Sequence, residues 1–419
     1  MMMNVNIDRK FARAAGHDRR HVMVEMMAPE APRGVARLPL NLALVIDRSG
    51  SMAGAKLGNA REAAVQVIRT LRASDRFAVV AYDDQVDVVW PSSLATPTAV
   101  ERAIRRIQAI DARGSTDLHG GWLRGCEQVA EMLDGESLGK VLLLSDGLAN
   151  HGCTDLATIA RQVSDLCERG VRTSTFGVGA DFDENLLQRM ATAGGGQFYF
   201  IEQAAQVPDI LQSELGEALQ TVARDVELRV EVPMGVRAEL LNDYPTRMEG
   251  THLVVRVGEL VSRQRLTLLM ALDIPGGAEG STVQVLLTAT DRDGALGTPT
   301  AVVELRRVSE AEHEAQPRKA AVERAAASMQ ATRARREAIE LNRSGAFNQA
   351  RELLHATFEQ LRRDANGDEE ILGTAGGLEG DVDAYGVRMD AVSLKHAHFG
   401  TSSLLKGRKA DGRAEREGR

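Results

Sequence analysis

Between residues 38 and 220 short apolar runs alternate with stretches of helical periodicity, and that alternation is the mark of a mostly parallel sheet covered by helices on both faces. NLALVID (41–47) reads as a buried strand, and the helix after it places Ala60, Ala64, Val67, Ile68 and Leu71 on one face. RFAVVAY (76–82) returns to the sheet. VDVVW (86–90) is short enough for an edge strand, followed by a helix carrying Val100, Ile104 and Ile107 and another from about Gly121 to Leu133. KVLLLSD (140–146), a helix at 155–168, VRTSTFGV (171–178), a helix at 183–192, QFYFIE (197–202) and a helix at 204–220 complete a doubly wound α/β domain over 38–220.

Beyond residue 220 the apolar period changes to two. Val226, Leu228, Val230 and Val232 alternate with polar residues, and HLVVRV, RLTLLMALDI, STVQVLLTAT and TAVVELRRV follow at short intervals, which predicts an antiparallel β-sandwich over 221–310. Within the N-terminal segment 1–37, HVMVEMM (21–27) also alternates and is expected to join that sandwich, so the α/β domain is an insertion between sandwich strands. Residues 311–364 are rich in Ala, Glu, Arg and Leu and are split at Ser344-Gly345, which predicts an α-helical hairpin. From 365 to 419 the chain becomes Gly-rich and then basic, and a loosely ordered tail is expected.

Asp47-Arg48-Ser49-Gly50-Ser51 follows a buried strand and precedes a helix, the place where ligands collect at the carboxyl ends of parallel strands. A carboxylate and two hydroxyls at i, i+2 and i+4 of a tight loop can turn three oxygens to one point, as a hard cation requires. Gly114-Ser115-Thr116-Asp117 and Ser145-Asp146-Gly147 end at the same sheet edge and add further oxygens. Asp117 and Ser145 are expected to orient these groups, while Arg48, Lys56 and His119 read as solvated residues on the rim.

The DRSGS loop, the GSTD loop and the LLLSDG strand end, in that order over about 180 residues, resemble the metal-ion-dependent adhesion site of von Willebrand factor A (vWA) domains. The resemblance implies that Ser49, Ser51 and Thr116 are direct or near-direct ligands, and that Asp47 and Asp146 act partly through metal-bound water. The surrounding architecture is similar to that of bacterial vWA proteins and of inter-alpha-trypsin inhibitor heavy chains. An all-oxygen donor set favours Mg²⁺, with Mn²⁺ or Ca²⁺ also suited, over Zn²⁺. Two carboxylates and neutral hydroxyls leave a dication incompletely satisfied, so the expected partner is a protein that presents an Asp or Glu to the metal.

Other function classes fit less well. The net charge of −8 gives no broad attraction to phosphate backbones, so no nucleic acid is expected. No apolar run reaches the roughly 20 residues that span a bilayer, and the opening MMMNVNIDRKFARAAGHDRR is polar and lacks secretory features. With only three cysteines, Cys126, Cys153 and Cys167, a reduced cytoplasmic protein is expected. An enzyme is not expected: a phosphatase of the haloacid-dehalogenase type needs a second Asp where Ser49 stands, and a hydroxyl cannot supply that proton near neutral pH. The alternative role is an adaptor subunit beside an AAA+ ATPase in a chelatase-like or remodelling complex, an analogy that names no residue of this chain.

Overall fold

A computed structural model describes residues 2–31 and 37–416. The chain divides into two units, Pro32–Gln220 and a second composed of Met1–Ala31 with Thr221–Arg419. The first is the α/β unit. Its six-stranded sheet runs Val86–Leu94, Arg76–Tyr82, Leu40–Asp47, Leu138–Ser145, Val171–Val178 and Gly195–Ile201, all parallel except the antiparallel edge strand Val86–Leu94. Every residue of Leu40–Asp47, Leu138–Ser145 and Val171–Val178 is buried, as expected of central strands covered on both faces.

Chain order reverses between Leu40–Asp47 and Leu138–Ser145. From the first of these the chain proceeds outward through Arg76–Tyr82, and from the second outward the other way, so their carboxyl ends flank the topological switch point. Asp47 ends one strand and Ser145 the other. The helix Leu118–Ala130 lies against both, and two glycines allow its close approach. A Cβ built on Gly125 would lie 2.3 Å from Val45 Cγ2, and one on Gly121 2.4 Å from the Tyr82 ring. Between them Trp122 is fully buried and donates its Nε1–H to Thr173 Oγ1 at 3.0 Å.

The second unit holds two further sheets. One is antiparallel, in the order Met2–Ile7, His17–Met27, Arg265–Pro275, Arg237–Leu240. The other runs Thr246–Glu249, His252–Val261, Thr221–Glu231, Thr282–Thr290, Thr300–Val308 and Phe11–Arg13, antiparallel except for its last pair. Val22, Val24 and Met26 of one sheet share a core with Leu228, Val230, Val255 and Leu287 of the other. His17–Met27 is therefore an inner strand, paired along its length with Arg265–Pro275. Met2–Ile7, which the sequence reading passed over, pairs with its other edge.

Five helices follow, Glu310–Ala315, Ala320–Arg343, Phe347–Asp364, Glu369–Tyr385 and Ala391–Leu405. The last two correct the expectation of a loose tail from residue 365. Gly373, Gly376, Gly377 and Gly380 lower helix propensity, but Ile371, Ala375 and Leu378 form a stripe at helical spacing and bury against Ala331, Ala338 and Leu354. Asp368 caps that helix by accepting from the backbone N–H of Glu370 and Ile371, and Asp390 does the same for the next. The basic end is tied down as far as Arg416: Arg265 donates its backbone N–H to the Glu415 carbonyl, and Arg416 bridges to Gln264.

Candidate metal centre

Three loops of the α/β unit converge at the switch point. Asp47 is the last residue of its strand, and its Oδ1 accepts the backbone N–H of Ser49 at 2.8 Å, which folds the loop back over the strand end. Ser49 Oγ lies 3.1 Å from Ser51 Oγ, and Ser51 Oγ donates to Asp146 Oδ1 at 2.7 Å. Gly50 donates to the Gly114 carbonyl at 3.1 Å, docking the second loop on the first. Thr116 is buried there, its backbone N–H held by Asn150 Oδ1 at 2.9 Å. A Cβ on Gly147 would meet both Ser51 Oγ and Thr116 Oγ1, at 3.6 and 3.7 Å, so both hydroxyls border Gly147. All five residues singled out in the sequence stand together.

The carboxylates are more deeply set than surface loops would allow. Asp47 and Asp146 are both 0% exposed. Asp47 Oδ2 accepts from Ser145 Oγ at 2.8 Å and from Tyr82 OH at 3.4 Å, and Tyr82 OH also reaches the Leu144 carbonyl at 3.0 Å. Ser145 thus orients Asp47. Burial pushes the Asp47 carboxyl above the usual range, against the hydrogen bonds from Ser49 and Ser145 that favour its ionised form. Burial and the neighbouring Asp47 likewise push the Tyr82 phenol well up.

Two residues read as solvated are held by partners. Lys56 Nζ pairs with Asp146 Oδ2, and its side chain is 28% exposed. Arg48 is buried, with its guanidinium against Asp83 at 3.2 Å and also on Asp87. Arg113 joins the same acids, at 2.6 Å from Asp83 and 3.0 Å from Asp87, and its backbone N–H donates to the Arg48 carbonyl. This network from the 83–87 turn binds the first two loops together, and the sequence reading had not singled it out. Asp117 caps the helix Leu118–Ala130 by accepting from Gly120 at 2.9 Å, and His119 is engaged by Gln162 at 2.6 Å.

The donor set suits a hard cation. Asp47 forms no ion pair among the described residues, although a buried carboxylate without a cation is costly. Among those residues no three His, Cys, Asp or Glu side chains cluster, so a cation here would rest on hydroxyls as well as on the two acids. Burial pushes the Cys126 thiol up, and Cys126, Cys153 and Cys167 form no disulfide among the described residues.

Comparison with known proteins agrees with the fold. Residues 41–213 match the family model of the von Willebrand factor type A domain, and the chain carries such a domain. It is 30% identical over 243 residues to the uncharacterized protein YfbK of Escherichia coli, covering 56% of this chain and 42% of that protein. It is also 30% identical over 207 residues to inter-alpha-trypsin inhibitor heavy chain H1 of Bos taurus, covering 47% of this chain and 22% of that one. The chain thus spans less than half the length of either relative. Among solved structures, a von Willebrand factor type A protein from Catenulispora acidiphila superposes with a TM-score of 0.69 at 17% identity, covering 99% of this chain and 93% of that one. The ArnB paralog VWA2 from Sulfolobus acidocaldarius gives 0.63 at 15% identity, covering 99% of both. At such identities the likeness is one of fold: a vWA-like doubly wound domain with additional antiparallel sheets and C-terminal helices. No helix among the described residues is long and apolar enough to cross a membrane.

Proposed function

We propose that the vWA domain is a metal-dependent, non-enzymatic protein-binding module in which Asp47, Ser49, Ser51, Thr116 and Asp146 hold a divalent cation, Mg²⁺ in the first place with Mn²⁺ or Ca²⁺ also accepted. The observation that carries this reading is Asp47, buried and hydrogen-bonded yet without a cationic partner among the described residues, beside three hydroxyls on converging loops. When bound, a dication supplies an exposed positive charge with an open position that a carboxylate of a partner protein can fill. Ser145, Tyr82 and the Ser49 N–H fix the Asp47 carboxylate, while Asn150 and the Arg48–Asp83–Arg113 network set the loop that bears Thr116. In this reading these residues bind and orient.

Calorimetry on the full chain tests the metal, with about one Mg²⁺ or Mn²⁺ bound weakly as the expected result, because an all-oxygen site with an open position stays hydrated. Tight stoichiometric zinc with neither Mg²⁺ nor Mn²⁺ bound would overturn it. Capture of partners on immobilised protein, with Mg²⁺ and with EDTA, tests the use of the metal. Release by EDTA, and the same release when the partner's key Asp or Glu is changed to Asn or Gln, is expected. A partner that stays bound in EDTA places the interface elsewhere.

A further inference from the structure

Lys56 stands in an unfavourable place for a cation. It lies in the first turn of the helix Ala55–Thr70, where the backbone amides present their positive end and where no acidic residue offsets it. Its ammonium is nonetheless drawn to Asp146 Oδ2. Gly179, at φ +79° just beyond the strand Val171–Val178, lies beside it: a Cβ there would stand in ordinary contact, 3.5 Å from Lys56 Cε and Nζ. Asp146 is therefore shared, with Oδ2 on Lys56 and Oδ1 on Ser51 Oγ at 2.7 Å, so only one of its oxygens faces the hydroxyl cluster.

We infer that Lys56 is a built-in counter-cation that lowers the metal affinity of the site while raising its demand for an external anion, an inference that rests on the metal-binding reading above. The argument is a charge count. Asp47 and Asp146 bring two negative charges, the hydroxyls of Ser49, Ser51 and Thr116 none, and Lys56 one positive charge, leaving the metal-free cluster one negative charge. With a dication the cluster then carries one positive charge, which a partner's carboxylate neutralises. Without Lys56 the two aspartates alone balance a dication, so metal is held more tightly and the carboxylate is no longer required for neutrality. Lys56 is thus a positioning and specificity-determining residue: it separates a site that stores metal from one that uses metal to recognise an acid.

Free Mn²⁺ measured by electron paramagnetic resonance during titration of the full chain tests this with metal alone, on wild type, Lys56→Met and Lys56→Arg at low salt. Met keeps the length of the stem and removes the charge; Arg keeps the charge. Lys56→Met should bind Mn²⁺ on the order of tenfold more tightly, as expected for a unit charge removed a few ångströms from a partly exposed dication site. Lys56→Arg should stay near wild type, and the Met effect should shrink at high salt. Acetate added to the Mn²⁺-loaded proteins, followed by water-proton relaxation, should bind more weakly to Lys56→Met than to wild type. Mn²⁺ affinity in a cooperatively melting Lys56→Met that equals or falls below wild type overturns the inference. A folded wild type that binds no Mn²⁺ overturns the metal reading itself, a distinct result.

Discussion

Asp47→Asn and Asp47→Ala should separate the two jobs of this carboxylate. Both substitutions remove the negative charge, but only Asn keeps an oxygen to accept the Ser49 N–H, which Asp47 Oδ1 now accepts at 2.8 Å. Ser145 Oγ has a second acceptor in the Gly147 carbonyl at 3.4 Å, and Tyr82 OH has the Leu144 carbonyl at 3.0 Å. Among the described residues the Ser49 amide has none. In Ala it is left unsatisfied in a buried loop, at a cost of about 1–3 kcal/mol. For a unit of this size that corresponds to a melting point about 2–12 °C lower for Ala than for Asn, measured by scanning calorimetry in EDTA. Asn should melt at or above wild type in EDTA near neutral pH. The sign follows from the upward displacement of the Asp47 pKa: with the folded value raised, its favourable contribution belongs to low pH and is lost as pH rises through the folded value, so removing the charge relieves the cost. Adding Mg²⁺ at ten times its dissociation constant should stabilise wild type by about 1.4 kcal/mol and leave Asn unmoved. Equal melting of Ala and Asn in EDTA would refute the hydrogen-bond argument, and an Asn variant as responsive to Mg²⁺ as wild type would refute the assignment of Asp47 to the metal.

Gly125→Ala should destabilise the α/β unit by about 1–3 kcal/mol, read from urea unfolding, because the new methyl lies 2.3 Å from Val45 Cγ2 and forces the helix Leu118–Ala130 away from the sheet. Asp8 is buried and its pKa is raised by that burial to about 6, so its contribution to stability is present below about pH 4 and lost as pH rises through about 6. Asp8→Asn should flatten that decline, on the order of 3 kcal/mol, in denaturation curves taken across pH 4 to 7. Truncation after Asp364 should expose the apolar faces that Ile371, Ala375 and Leu378 now cover, and the product should aggregate or bind a hydrophobic dye; a monomeric, cooperatively melting product would show those helices to be dispensable.

What was legible in the sequence follows from range. The central strands were readable because Leu40–Asp47 and Leu138–Ser145 are apolar nearly throughout, and the loops because oxygen donors follow them at fixed offsets. Met2–Ile7 was not, since its asparagines dilute an alternation that matters only beside His17–Met27. The helices after residue 368 were hidden by glycine content, which measures local propensity but says nothing of the faces formed by Ala320–Arg343 and Phe347–Asp364. Arg48 and Lys56 look alike in sequence to any exposed base. Their partners Asp83, Asp87 and Asp146 lie 35, 39 and 90 positions away, and spacing along the chain cannot disclose them.

The two acids at the switch point are not equivalent, and the difference bears on how such a site could work. Asp47 is locked by neutral donors on both of its oxygens, from the Ser49 backbone on one side and from Ser145 and Tyr82 on the other. Neutral donors fix direction but leave the charge in place. Asp146 instead shares its charge with an ammonium on a flexible four-carbon stem, whose hold weakens when another cation approaches. A rigid, uncompensated carboxylate attracts a cation to one point; an adjustable, half-compensated one decides how much positive charge remains afterwards. Exchanging Asp146 for Asn leaves the Lys56 ammonium without its partner beside the metal, so it should cost metal affinity on the order of that lost on exchanging Asp47 for Asn, and adding Lys56→Met to Asp146→Asn should recover part of it. Comparing the Mn²⁺ affinities of Asp146→Asn and the double variant checks this, and no recovery in the double variant would mean that the Lys56 charge does not act on the metal.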